Sequence, residues 1–163
     1  DMPPVDPPAD PPGAAIPGVP VENIHFAHYD NATGRIIAIG HCEENSLQAN
    51  DDLYPDLGFI IGKATPETDR VDLTTNPHTI VARPVMSLLL DKPTIAATGN
   101  DPATITGIPV GTVVTLLRTG DFTEVSETVN TGSTTVTTVV RGPMTFRFEH
   151  FPHRTTELTI NGV

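Results

Sequence analysis

The sequence predicts an all-β fold made of an extended proline-rich arm, a small N-terminal β-hairpin unit and an immunoglobulin-like β-sandwich. Apolar and polar residues alternate with the period of two that a half-buried strand requires, and turn residues recur about every ten residues in the second half. Helical periodicity never persists for more than a turn or two. Charged residues make up only 18% of the chain, which favours strands over long solvated helices.

Residues 1–20 form the predicted arm, because they contain eight of the 17 prolines. Proline fixes φ and lacks a backbone donor, so we expect an extended polyproline-type chain rather than helix or interior strand. A disordered spacer is the alternative for such a composition. We expect the arm to dock along a groove of a neighbouring subunit through its paired prolines, which are Pro3, Pro4, Pro7, Pro8, Pro11 and Pro12.

Residues 21–84 are predicted to form a small β domain. Turn-forming residues at 30–34 join its first two strands, and a second hairpin turns at 74–78. Residues 57–61 have the pattern of a buried strand, whereas the acidic segment 43–56 is expected to be an exposed loop. The predicted strands are 22–29, 35–41, 57–61, 69–73 and 79–83.

Residues 85–163 are predicted to form the immunoglobulin-like domain, because seven short strands separated by turn chemistry are typical of that architecture. The last hairpin has the clearest pattern. Met144, Phe146 and Phe148 share one face and are expected to meet Leu158 and Ile160 across a short turn. The predicted strands lie near 86–97, 102–108, 111–118, 122–129, 134–140, 143–151 and 154–161.

Composition also limits the partners. The net charge is −11 and the nine Lys and Arg residues are scattered, which argues against nucleic acid as a ligand. No apolar run approaches the ~20 residues that span a bilayer, so we expect no membrane insertion. The single cysteine, Cys42, cannot form an internal disulfide, and a half-buried structural role is expected for it.

A transition-metal site is not expected from the histidines. Residues three apart in a strand point to opposite faces, which separates His25 from His28. If Tyr29 pairs with Arg35, His41 lies opposite residue 23, two positions beyond His25, and three ligands do not converge. Ordinary surface or edge histidines are expected instead. The candidate set is His25, His28, His41 and Cys42.

Other catalytic and metal-binding patterns are missing as well. The acidic residues between 43 and 56 lack the alternating oxygen-ligand spacing of a calcium loop, so we expect a solvated loop there. The sequence has no G-x-S-x-G elbow and no glycine-rich phosphate loop after a strand. Glu149, His150 and His153 lie close together in sequence, but Glu149 and His150 should face opposite ways. We therefore predict no catalytic, cofactor-binding or metal-ligating residue, and no enzymatic activity.

Several short motifs nevertheless resemble those of small proteins encoded among the tail genes of tailed bacteriophages. The motifs are an F-A-x-Y-D…G-x-I strand pair, a G-x-A…V-D hairpin, a basic-proline link and an E-x-F-P corner. Here they are Phe26-Ala-His-Tyr-Asp30 with Gly34-Arg-Ile36, the stretch from Ile61 to Thr75, Arg83-Pro-Val-Met86, and Glu149-His-Phe-Pro152. The resemblance covers roughly residues 24–163 and excludes the proline-rich arm.

This resemblance implies a non-enzymatic structural protein of the virion, located in the phage tail and made in the host cytoplasm. The expected role is a tail-tip or tail-fibre component that takes part in host attachment or fibre assembly. The expected partners are other virion proteins, further copies of the chain, and a glycan or receptor on the host surface. The alternatives are a capsid decoration protein or head fibre, a carbohydrate-binding β module, and an assembly chaperone absent from the finished virion.

Overall fold

The computed structural model describes residues 23–117 and 125–163. The predicted arm and its six candidate prolines lie outside these ranges. The described chain is all-β apart from one 3-10 turn and one short helix, which confirms the predicted fold class at that level. None of its helical segments is long and apolar enough to cross a membrane.

The N-terminal unit consists of a three-stranded antiparallel sheet and a separate hairpin. The sheet has the order β2-β1-β3, and β4 pairs with β5. Both predicted hairpins are confirmed. The strands are β1 (Ile24–Tyr29), β2 (Ile36–Cys42), β3 (Gly58–Ile61), β4 (Asp69–Asp72) and β5 (Thr79–Ala82).

One face of the N-terminal sheet packs against the β4–β5 hairpin. Ala27 and Tyr29 of β1 share a buried cluster with Val71 of β4, and Ile80 of β5 packs against its border. The chain can approach this closely because Gly34 has no side chain. A Cβ at Gly34, whose φ is +76°, would overlap the carbonyl oxygen of Val71. The hairpin is therefore held against the sheet by a backbone contact that requires glycine.

The register of the first hairpin differs from the prediction. Tyr29 pairs with Ile36 rather than with Arg35, and a β-bulge between His28 and Tyr29 then shifts the pairing by one further position. The shift places His41 directly opposite His25 instead of opposite residue 23. The predicted separation of these two histidines is therefore wrong.

The opposite face of the N-terminal sheet carries an aromatic cluster. His28 is 1% exposed, and its ring lies 5.2 Å from that of Phe59 and 4.8 Å from that of Tyr54. The expectation of a surface or edge histidine is therefore wrong at this position. Tyr54 comes from the segment predicted as a loop, which contains a 3-10 turn (Glu44–Ser46) and α1 (Leu47–Asp51). The strand predicted as buried, β3, is a half-exposed edge strand with Ile61 largely in solvent.

The C-terminal unit contains two sheets that share one hydrophobic cluster. The larger sheet has the order β10-β9-β12-β13-β7, and the smaller has the order β11-β8-β6. Its strands are β6 (Leu89–Leu90), β7 (Thr94–Ile95), β8 (Ala103–Thr106), β9 (Thr112–Leu117), β10 (Val125–Val129), β11 (Ser133–Val136), β12 (Gly142–Glu149) and β13 (Thr156–Gly162).

The predicted final hairpin is confirmed in strand positions and in the residues it buries. Met144 pairs with Ile160 and Phe146 with Leu158, while Phe148 is fully buried. Ile105 of the smaller sheet completes the same cluster. Two other strand predictions need correction.

The single strand predicted near 86–97 is two short strands in different sheets, β6 and β7. Asp91, Lys92 and Pro93 separate them, and proline supplies no backbone donor for a continuous ladder. The strand predicted at 134–140 ends at Val136, and the hydroxyl of Thr138 then bonds the backbone at residue 140. The strand predicted near 122–129 is described from Val125 onward.

Candidate functional site: the joint between the two units

The basic-proline link and the E-x-F-P corner meet in space at the boundary between the two units. Arg83 follows β5, and the Phe151-Pro152-His153 turn joins β12 to β13, about seventy residues later in the chain. The backbone amide of Arg154 also donates to the carbonyl oxygen of Pro84 at 2.8 Å. These contacts define the joint, by which we mean Arg35, Pro66, Glu67, Arg83, Pro84 and residues 149–154.

The Arg83 guanidinium binds backbone carbonyl oxygens of both units. Its Nε donates to Pro152 at 3.1 Å, and one terminal nitrogen donates to both Pro66 and Glu67 at 3.2 Å. The other terminal nitrogen donates to the carbonyl oxygen of His153. Four of the five N–H donors of the group are thus used, two toward each unit. Little donor capacity remains for a ligand, so the role of Arg83 is to fix the units to each other.

The Phe151 ring adds a second contact between the units. The guanidinium carbon of Arg35 lies 5.0 Å from the ring centre and that of Arg83 lies 5.4 Å from it. Both distances are within the range in which a cation is attracted by an aromatic face. Arg35 belongs to the Gly34-Arg-Ile36 motif, and Pro66 and Glu67 belong to the stretch from Ile61 to Thr75, so all four motifs singled out in the sequence contribute to one joint.

Burial and nearby positive charge both lower the pKa of ionisable groups in the joint, and burial has the larger effect. Burial lowers the pKa of Arg83, and the charges of Arg35 and Arg154 lower it further. The guanidinium remains protonated nonetheless, because its ordinary pKa is so high. Burial likewise lowers the pKa of His153, with His150 and Arg83 as additional causes. The two imidazoles lie side by side, with their Nδ1 atoms 3.4 Å apart.

A cleft of about 490 Å³ opens beside the joint. Arg35, Glu67, Glu149 and His150 are among the side chains that line it. Its lining contains both arginines and glutamates, so it offers no strong preference for ligands of one charge. Glu149 and His150 were not expected to form an active site. The structure places both on this cleft and pairs His150 with His153, whose carbonyl oxygen binds Arg83.

A second cleft of about 490 Å³ lies between the two sheets of the C-terminal unit. It reaches core side chains such as Val114, Met144 and Phe146, and β10 and β11 contribute to its rim. Residues 118–124, which precede β10, lie outside the described ranges. Glu127 and four threonines between residues 134 and 138 also line the cleft, so its wall is partly polar.

The structure brings together only part of the predicted candidate metal set. His25 and His41 are neighbours with ring centres 5.9 Å apart, whereas His28 is buried on the other face of the sheet. Cys42 is half-buried and pairs with Ile24. Among residues 23–117 and 125–163, no three metal-ligating side chains form a cluster, and this range includes the acidic segment 43–56.

Sequence reasoning did not identify Arg83 as a key residue. The only signal in the sequence is an arginine directly after a predicted strand and directly before a proline. The sequence does not show that Arg83 contacts residues 152 and 153, because these residues are distant in the chain.

Comparisons with protein-family models, with curated proteins and with solved structures found no match for this chain.

Proposed function

We propose that this chain is a non-enzymatic structural protein of a bacteriophage virion, most naturally a tail-tip or tail-fibre component. The observation that carries the proposal is the joint, in which Arg83 binds carbonyl oxygens of both units. A projecting appendage has to transmit force without bending at its domain boundaries. A boundary fixed by four hydrogen bonds and an aromatic contact suits that task.

The motifs that resemble those of tail proteins support the same proposal. Arg35, Arg83 and Phe151 come from three separate motifs, and their side chains lie within one joint. Gly34, in the first of them, permits the close approach of the β1–β2 turn to β4. The resemblance therefore concerns residues with a mechanical task, as expected for a structural protein.

The finer fold assignment belongs to this proposal as well. We assign the C-terminal unit to the immunoglobulin-like β-sandwiches on the basis of its strand order. The smaller sheet, β6-β8-β11, corresponds to strands A, B and E, and the larger sheet corresponds to A′, G, F, C and C′. The division of the first strand between the sheets and the parallel pairing of β7 with β13 are in keeping with that assignment.

The proline-rich arm supplies the proposed attachment to other virion proteins or to further copies of the chain. Its composition supports an extended segment that loses little conformational entropy on docking. Deletion of residues 1–20 should abolish incorporation of the protein into particles while leaving the two β units folded. Unchanged incorporation after the deletion would rule out this role of the arm.

The decisive experiment is to locate the protein on purified virions. Antibodies raised against residues 23–163 should label the tail tip or the fibres in negative-stain electron microscopy, and mass spectrometry should detect the chain in the particles. Label on the head would favour a capsid decoration protein instead. Absence from finished particles would refute a virion role and leave an assembly chaperone or a glycan-binding module, which a glycan array would separate.

A further inference from the structure

Two exposed histidines face each other across the first hairpin. His25 of β1 and His41 of β2 are directly opposite in register, and both side chains are exposed. Their ring centres lie 5.9 Å apart with an angle of 57° between the planes. Directly opposed residues of an antiparallel pair project from the same face of the sheet, so both imidazoles point into the same volume of solvent.

The surroundings leave this pair accessible. The backbone amide of Gly62 donates to the carbonyl oxygen of His25, so the residue flanking His25 on the β3 side has no side chain to cover it. Within the described ranges, the histidine side chains that form hydrogen bonds are those of His78, His150 and His153, so the imidazoles of His25 and His41 are available to a ligand. Cys42 follows His41 in the strand and therefore faces the other side.

The geometry suits a shared metal ion. Two imidazole nitrogens bound to one metal at about 2.0–2.1 Å lie roughly 3 Å apart. The ring centres, which lie 5.9 Å apart, must approach each other by about 1 Å to reach such an arrangement. Small side-chain rotations achieve this at exposed positions. Imidazole is a good ligand for zinc, copper and nickel, whereas calcium and magnesium prefer oxygen.

We propose that His25 and His41 form an open, two-histidine site for a late first-row divalent metal ion, with copper bound most tightly. This inference goes beyond the proposed virion function and is independent of it. Two protein ligands leave the remaining coordination positions to water or to a donor from a binding partner. The order of affinity follows the general sequence for first-row metals, in which Cu²⁺ exceeds both Ni²⁺ and Zn²⁺.

The pair His150 and His153 is a natural comparison, because its Nδ1 atoms are only 3.4 Å apart. It lies beside Arg83, whose positive charge acts on His153. A divalent cation would be repelled there, and both rings are half-buried. The distance between the two side chains would by itself favour a metal site at His150 and His153, whereas charge and solvent access favour a metal site at His25 and His41.

The test is a titration of the full chain, prepared without an affinity tag, with Cu²⁺, Ni²⁺ and Zn²⁺ by isothermal calorimetry. Pulsed EPR of the Cu²⁺ complex reports how many imidazoles are bound. We expect two imidazoles on one Cu²⁺, and a loss of affinity of about tenfold or more in His25→Asn and in His41→Asn, because each variant destroys the chelate. The His150→Asn/His153→Asn double variant should bind as the unaltered chain does.

Circular dichroism of each variant checks that the hairpin is still folded, as expected for substitutions at exposed positions. Undetectable binding of all three metals by the unaltered chain would overturn the proposal. Unchanged affinity in the His25→Asn/His41→Asn double variant, or loss of binding in the double variant at the joint, would overturn it equally.

Discussion

Replacement of Arg83 by methionine should uncouple the two units. The side chain contributes four hydrogen bonds to backbone carbonyl oxygens, and a typical intramolecular hydrogen bond contributes about 1 kcal/mol net, so about 4 kcal/mol is the upper value. Arg83 is only half-buried, so water replaces part of the lost bonding, and we expect Arg83→Met to destabilise the folded chain by about 2 kcal/mol. Arg83→Lys should recover little, because an ammonium group cannot span carbonyl oxygens on both sides.

Urea denaturation followed by circular dichroism measures this loss, and small-angle X-ray scattering measures the relative freedom of the units. We expect a broader or two-step unfolding transition in the variant and a wider distribution of molecular dimensions. Arg147→Met is the matched control. Arg147 forms an ion pair with Glu157 at 3.1 Å in which both side chains are well exposed, and such pairs contribute about 1 kcal/mol at most.

An Arg83→Met variant that unfolds and scatters like the unaltered chain would refute the reasoning about the joint. The same conclusion would follow if Arg147→Met were equally damaging. Full recovery of stability in Arg83→Lys would show that positive charge beside Phe151, rather than the set of hydrogen bonds, holds the units together.

Three further predictions concern the cores and the pH dependence. Phe148→Ala should lower the free energy of unfolding by about 3–5 kcal/mol in urea denaturation, because the ring is fully buried; a loss near zero would contradict its place in the core. Gly34→Ala should be clearly more destabilising in the same assay than Gly142→Ala. Both glycines have positive φ, but only at Gly34 does an added Cβ meet a backbone oxygen, so equal effects would exclude that contact. Stability should also decrease as the pH is lowered from about 6.5, the ordinary pKa of histidine, through the lower pKa of folded His153, because the unfolded chain then binds the proton more readily. His153→Asn should flatten this dependence in thermal unfolding between pH 7 and pH 5. An unchanged slope of stability against pH would mean that groups other than His153 cause the dependence.

The regular hairpins were predictable because their information is local. The alternation of Met144, Phe146 and Phe148 with polar residues fixes which face of β12 is buried, and Phe146 and Phe148 are large enough to set the packing. The turn residues at 30–34 and 74–78 placed the N-terminal hairpins correctly for a similar reason. Proline fixes φ, whereas glycine and asparagine accept the left-handed conformations that turns require, and both effects are local.

The details that decide the candidate sites were not local. The pairing of Tyr29 with Ile36 and the bulge between His28 and Tyr29 each shift the register by one position, and together they turn two separate histidines into a pair. No residue type in β2 announces such a bulge, because both Ile36 and Ile37 fit a strand equally well. The burial of His28 depends on Tyr54, which a short helical segment brings over the sheet. Polar composition had suggested only a solvated loop there.

The joint shows why short motifs in this chain carry more information than their length suggests. Taken singly, an arginine before a proline and a phenylalanine before a proline describe turns, and turns of this kind are common. Their combination is restrictive, because Arg83 reaches the carbonyl oxygens of residues 152 and 153 only if β5 ends beside the β12–β13 turn. A substitution in the link or in the corner must therefore preserve both the turn itself and the distance of that turn from the other unit. The link and the corner therefore specify the relative placement of two units, which neither hydrophobic core can specify on its own.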